Sequence, residues 1–336
     1  MKYWILKRLL LLLIVLWGIT TIVFIINSVV PRDPAIAMYG SFADEEDIER
    51  FNERWGLDKP VWRRYYEFYY YILQGDLGTS VRTERPVIVE IKNTFPATFE
   101  LATVSIMISF IIGVPLGIFS ALKRNKIPDH VTRFLSLIGV STPNFWLGLL
   151  ILLVFYFYLG GVGPGRISSA ELEPIKITGL YLLDSILSLN WRSFIDSLQH
   201  IIYPAVALGF FGLGIVTRMI RSSMLDVIRK DYIKAARARG LSLVGVIWRH
   251  AIKNALNPVI TSLGVLYGAY LSGAIIIEII FAWPGLGSFA YNSIIKADSP
   301  GILGYVFVIA IFYSFVNLIV DAIYRLLDPR IGFVEV

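Results

Sequence analysis

The chain reads as an all-α membrane protein with six transmembrane helices, and three observations predict that class. Apolar residues make up 56% of the 336 residues and charged residues only 17%, whereas soluble domains carry about a quarter charged residues. Six apolar runs recur, each close to the length that crosses a hydrocarbon core of ~30 Å as a helix. Lys and Arg gather in alternate connecting segments, the pattern that orients spanning helices.

The first run lies in "MKYWILKRLLLLLIVLWGITTIVFIINSVVP" and extends from Leu9 to Val30 behind a basic start. A secretory apolar region is only about 7–15 residues long and ends at a small-residue cleavage site. This run is longer and contains no A-x-A-like site, so residues 1–30 are expected to stay as an N-terminal transmembrane helix. Five further runs cover roughly 97–122, 134–160, 201–220, 257–281 and 303–324.

Six spans put both termini on one side. With that side cytoplasmic, the inner segments hold eighteen Lys/Arg against five acids, and the outer segments thirteen against eighteen. The termini and residues 218–256 are therefore expected in the cytoplasm of a multi-pass protein of the cell membrane. The net charge of +6 is accounted for by this sidedness. Nucleic-acid binding would instead gather the cations on one folded face beside stacking aromatics, so the expected surroundings are membrane lipid and no nucleic acid.

Residues 31–96 form a long outer segment, expected to be a small helical extracellular subdomain between spans one and two. In "DEEDIERFNERWG", Ile48, Phe51 and Trp55 recur at helical spacing after an acidic start. "PVWRRYYEFYYYILQ" starts at a proline and carries a dense aromatic run from Trp62 to Tyr71, as expected of a helix resting at the membrane–water interface. Ser109, Gly113 and Gly117 in span two, and Gly264, Gly268 and Ser272 in span five, are spaced for close helix packing.

Chemistry-bearing motifs are absent. The chain has no cysteine and only His130, His200 and His250, which excludes a thiolate metal site and leaves no histidine cluster. No glycine precedes a lysine, so no phosphate-binding G-x-x-x-x-G-K-[ST] loop occurs, and neither H-E-x-x-H nor G-x-S-x-G is found. No catalytic residue, no metal site and no cofactor are expected in this chain. Acids inside apolar runs are functional candidates on that ground, among them Glu278 and Asp321. Glu278 lies near the outer end of span five. Asp321 lies near the inner end of span six, four residues before Arg325 on one helix face. Glu278 and Asn144, the latter at the entry to span three, are the candidates for a substrate path.

The segment between spans four and five is patterned beyond what sidedness requires. Before Gly240, Leu225, Ile228, Tyr232 and Ala236 fall on one helical face. After it, Leu243, Val244, Ile247, Trp248, Ala251, Ile252, Ala255 and Leu256 recur at helical spacing, with Ser242 available as an N-cap. Residues 222–258 thus predict a helix–turn–helix bracket with a small-sided centre at Ala235, Ala236 and Gly240, suited to docking a partner. Alternative readings of such a chain are a secondary carrier and a receptor-like multi-span protein whose bracket docks a non-ATPase partner.

"KAARARG", followed by a proline opening the next span, resembles the "EAA" signature of permease subunits of ABC importers. Lys234 stands where that signature has glutamate, and Pro258 lies farther from Gly240 than in its short form. The longer spacing is similar to the oligopeptide/dipeptide branch, as are "WGLDKPVWRRY", "GDLGTS", "STPNFWLGLL", "FAWPGLG" and "LLDPRIG". The resemblance implies a type I ABC importer permease-like fold, with residues 97–336 as a five-helix core. It implies a second homologous permease subunit, two ABC ATPase subunits that bind ATP and Mg, and an extracellular solute-binding protein. Peptides or oligosaccharides are the implied substrates. Ala235, Ala236, Arg237 and Gly240 are the implied centre of ATPase coupling, with Asp231 and Tyr232 at its edge.

Overall fold

A computed structural model describes residues 2–29, 34–39 and 44–327, and the side chains of 2–9, 38, 39, 243, 273, 321 and 323–327 are not described. The expected Asp321–Arg325 pair therefore lies outside the described residues, as does most of "LLDPRIG". Every extended element among the described residues is helical, and the one β-bridge joins Thr79 to Pro86. In chain order the helices are α1 (Lys2–Val29), α2 (Pro34–Tyr39), α3 (Glu45–Trp55), α4 (Val61–Leu73), α5 (Val87–Leu122), α6 (Ile127–Ser141) and α7 (Asn144–Ile151). A π-helical turn, Leu152–Tyr158, continues α7. Then follow α8 (Tyr181–Leu187), α9 (Trp191–Ile228), α10 (Asp231–Ala238), α11 (Leu243–Val246), α12 (Ile252–Ala255), α13 (Asn257–Gly273), α14 (Ile275–Ile280), α15 (Leu286–Ile295) and α16 (Ser299–Leu327).

Four of these are long and apolar enough to cross a membrane, over Leu10–Val29, Val87–Leu122, Trp191–Ile228 and Ser299–Val320. The expected third span is not one straight helix: α6 and the stretch Asn144–Tyr158 meet at 101°. Pro143 causes the break. It disfavours helical backbone at the residue before it, and Thr142 is accordingly extended, with φ −82° and ψ 123°. Counting that bent pair as one span gives five. The expected fifth run, 257–281, is divided at Ala274 into α13, of 17 residues, and α14, of 6. By length and composition four helices, or five with the bent pair, are thus able to cross, fewer than the six spans expected.

Two compact units divide the chain: one from residues 1–98, 176–180 and 283–314, the other from 99–175, 181–282 and 315–336. In the first unit, α2–α4 belong with α1, α15 and the start of α16. The aromatic helix α4 packs on α1 through hydroxyls as well as rings. Tyr65 and Tyr69 lie 2.8 and 2.9 Å from the Thr21 hydroxyl, and Tyr69 donates to the Trp17 carbonyl at 3.1 Å. The opposite stripe, Trp62, Tyr66 and Tyr70, stays exposed.

Two sequence motifs find their purpose in this unit. In "GDLGTS", Asp76 accepts from the Gly78 amide at 2.8 Å and the Ser80 hydroxyl donates to buried Asp298 at 2.6 Å. Asp298 also accepts from the Val81 amide at 2.9 Å and the Gly301 amide at 3.3 Å, so one carboxylate caps α16 and anchors the loop. In "FAWPGLG", the buried Trp283 indole donates to the Ala97 carbonyl at 3.0 Å, and the Leu286 amide to the Thr98 hydroxyl at 2.7 Å.

In the second unit α5 lies against α9 through small residues. The Ser109 hydroxyl donates to the Gly209 carbonyl at 2.7 Å. A Cβ on Gly209 would stand 2.7 Å from the Ser105 carbonyl oxygen, and one on Gly117 would collide with Ile220 and the Thr217 carbonyl. The small face expected in span two is therefore used for packing within the chain, as apolar solvent favours.

Candidate functional site

The bracket forms from its local chemistry. α9 ends at Ile228, and Lys230 is extended (ψ 148°) before α10 begins at Asp231. Gly240 then takes φ +80°, a left-handed conformation that costs a residue with a Cβ about 1–2 kcal/mol. Ser242 caps the second arm as expected, its hydroxyl accepting from the Gly245 amide at 3.2 Å. Between α11 and α12 the chain makes a π-helical turn over Ile247–Ala251.

These breaks reset the helical phase, which corrects two of the expected stripes. Ile233 and Ala236 are buried on α10, whereas Tyr232 is 44% exposed. The interruption at Arg229–Lys230 separates Tyr232 from the phase of Leu225 and Ile228. On the second arm Val246, Ile247, Ala251 and Ala255 are buried, whereas Val244 and Trp248 are 64% and 70% exposed. The extra residue of the π turn turns them outward. The buried stripes form one core with Ala121 of α5 and Val216, Ile220, Met224 and Val227 of α9. Val244 and Trp248, read in sequence as part of one apolar stripe, are thus exposed apolar side chains beside the bracket's turn.

Each expected coupling residue has a definite place. Asp231 starts α10, exposed, 2.8 Å from the Lys234 ammonium. Tyr232 accepts from the Asn254 amide at 3.0 Å, tying the two arms together. Ala235 faces outward and Ala236 inward. Among the described residues, no atom beyond the glycine and its chain neighbours lies within 4 Å of where a Gly240 Cβ would stand, so the turn opens outward. Arg237 lines a cavity of about 290 Å³ between α10, the π turn and the ends of α5 and α9, together with Arg124 and Arg229.

Beside this cavity lies an ion pair that spacing alone could not reveal. Asp129 of α6 is fully buried. Arg221 of α9 holds it with two bonds, Nε to Oδ1 at 2.6 Å and a terminal nitrogen to Oδ2 at 2.8 Å. The Ser120 hydroxyl of α5 adds a bond at 2.6 Å and the Asn125 amide one at 2.9 Å. A fully satisfied carboxylate therefore ties three helices at one end of this unit. In the sequence Asp129 was visible only as one of few acids among basic inner residues.

A second network lies farther back along α5, at Glu100, about 30 Å from Ser120 along the helix. Glu100 and Arg166, both 6% exposed, pair at 2.6 Å. Glu100 also accepts from the Leu182 amide at 2.8 Å. The Arg166 guanidinium stacks 3.7 Å from the Tyr181 ring centroid, and the Tyr181 hydroxyl donates to Glu173. Burial foremost, and then the hydrogen bond to Glu173, push the Tyr181 phenol up to about 12.

The two path candidates lie on packed helices. Asn144 is half-buried at the start of α7, and Glu278 is fully buried in α14. A Cβ on Gly148 of α7 would stand 3.3 Å from both Ile277 and Phe281, so the two helices touch one turn beyond Asn144 and next to Glu278.

A family model described as "Binding-protein-dependent transport system inner membrane component" matches residues 113–333, and its N-terminal companion matches residues 1–102. The chain belongs to this family of transport-system membrane components. The "Probable D,D-dipeptide transport system permease protein DdpB" of Escherichia coli (strain K12) is 44% identical over 96% of this chain and 95% of its own length. The "Dipeptide transport system permease protein DppB" of Alkalihalophilus pseudofirmus is 40% identical over 97% of this chain and 98% of its own. The "Oligopeptide transport system permease protein AppB" of Bacillus subtilis (strain 168) is 34% identical over 99% of this chain and its entire length. The resemblance to oligopeptide/dipeptide permeases carried by the sequence motifs is thereby borne out.

Proposed function

We propose that this chain is the permease subunit of an ATP-driven ABC importer for peptides, forming half of the translocation path. The observation that carries the reading is the bracket. In a chain of this family, a short helix and a left-handed glycine turn are folded onto the ends of α5 and α9, with the turn opening outward. An element packed on two membrane-length helices, with an outward face of Ala235, Tyr232 and Trp248, is built to pass motion from a docked partner into the bundle. The relatives described above are named for D,D-dipeptides, dipeptides and oligopeptides, which favours peptides over oligosaccharides.

In this reading α13 and α14 together make the sixth crossing, and α2–α4 stand outside the cell as part of the expected subdomain. Both termini and the bracket are cytoplasmic. The partners are a second homologous permease, two ABC ATPase subunits that bind ATP and Mg, and an external solute-binding protein. The chain itself is non-catalytic. Asp231, Tyr232, Ala235, Ala236, Arg237 and Gly240 form the coupling region, and Asn144 and Glu278 belong to the helices α7 and α14 that border the path.

Affinity purification of the tagged chain from its own membranes, followed by reconstitution, tests this. The expected result is co-purification of two ATP-binding subunits and a second permease, with peptide uptake into vesicles only when ATP and the binding protein are supplied. Proton-driven uptake by the purified chain alone would make it a secondary carrier and refute the proposal.

A further inference from the structure

We propose that the cavity behind α10 is a binding site for the phosphate headgroup of an acidic phospholipid. Three guanidinium side chains, Arg124, Arg229 and Arg237, line it, and among the described residues no acidic one does. None of the three makes an ion pair among the described residues. Asp129 is engaged with Arg221 and Asp231 with Lys234, and exposed Asp226 of α9 is not among the lining residues and forms no ion pair with the three arginines among the described residues. The remaining lining is apolar, including Ile233, Ile247 and Ala251. At about 290 Å³ the space holds roughly ten waters' volume.

Three like charges around an apolar floor repel one another and attract a single anion with a hydrocarbon body. Guanidinium forks match phosphate oxygens. The position selects lipid over a protein surface. Arg124 lies two residues past the end of α5 and Arg229 directly past the end of α9, and both helices are long and apolar enough to cross a membrane. The cavity lies on the inner side of α10, with Ile233, whereas the exposed Tyr232 and Ala235 point away from it. A headgroup there would sit at the membrane surface, its acyl chains beside the span ends, and would brace α10 against α5 and α9. The inference rests on the span ends and the cavity, not on the transport reading, and a binding assay can fail or succeed independently of uptake.

The test is lipid retention by the full chain in phosphatidylcholine nanodiscs doped with phosphatidylglycerol, read by native mass spectrometry. The wild type is expected to hold one phosphatidylglycerol in preference to phosphatidylcholine. The double variant R124Q/R229Q should hold it about thirtyfold more weakly, about 1 kcal/mol for each charge removed. R124K/R229K should restore most of the binding, which separates charge from folding. Equal retention by wild type and R124Q/R229Q overturns the proposal. So does displacement of the lipid by inorganic phosphate at millimolar concentration, which would make free phosphate the ligand. Stoichiometric displacement by added ATPase subunits would make the cavity a protein contact and overturn it as well.

Discussion

The fully buried Asp129 carboxylate has four bonds, and through Arg221 and Ser120 it ties three helices together. Replacing a buried pair with apolar groups can be neutral, but removing one partner strands a charge and costs about 3–5 kcal/mol. Arg221→Ala should therefore lower unfolding stability in detergent by that amount, and a loss below about 1 kcal/mol would contradict the assignment. Tyr181 supplies a pH test. A folded pKa near 12 against an ordinary phenol near 10 stabilises the neutral form. That contribution is full below about pH 10 and is lost as pH rises toward 12. A phenolate absorbance difference between wild type and Tyr181→Phe should show one group titrating near 12, and a midpoint at 10 would contradict the buried geometry. Neither network was legible in the sequence. The partners stand 92 and 66 residues apart, and no local spacing connects them.

At the scale of elements, apolar length identified the long helices and missed where they break. Pro143 was on view in "STPNF", yet length and hydropathy cannot tell a crossing from a bent pair. The same holds for the division at Ala274, which follows directly on Gly273, because a single glycine inside an apolar run does not by itself mark a break. Burial on the bracket was legible only where the helix kept its phase. Ala236, Ile247, Ala251 and Ala255 were placed correctly, while Tyr232, Val244 and Trp248 were not, because an interruption and a π turn each shift the register. The small face of α5 was legible as a spacing, but its partner on α9 was not. Gly209→Leu tests that contact. Its Cβ has no room beside the Ser105 carbonyl, so the helices must separate, at about 1–3 kcal/mol or more. A melting temperature equal to wild type would show that α5 and α9 do not approach as described.

For the whole molecule, composition established the membrane class, and five weak motifs in order pointed to the family that the chain matches. The motifs proved to be joints: Asp76 and Ser80 in one loop, Trp283 against α5 at Ala97, Pro143 at a bend. The asymmetry of Lys and Arg predicts which side each end occupies. Cysteines introduced one at a time at Ser242 and at Glu46, in a chain with no native cysteine, should label from opposite faces of sealed vesicles. Labelling from the same face would overturn the proposed orientation.

The proposed coupling is tested most directly at Gly240. Its Cβ position is empty and its φ is +80°, so Gly240→Ala costs only about 1–2 kcal/mol of backbone strain, while Gly240→Trp fills the space in front of the turn. ATP hydrolysis and peptide uptake should be measured together in the reconstituted importer for wild type and both variants. Uptake should persist with alanine and be lost with tryptophan, with the chain still inserted and folded in the membrane. Full uptake, tightly coupled to hydrolysis, in Gly240→Trp would contradict the claim that force enters this protein through its bracket.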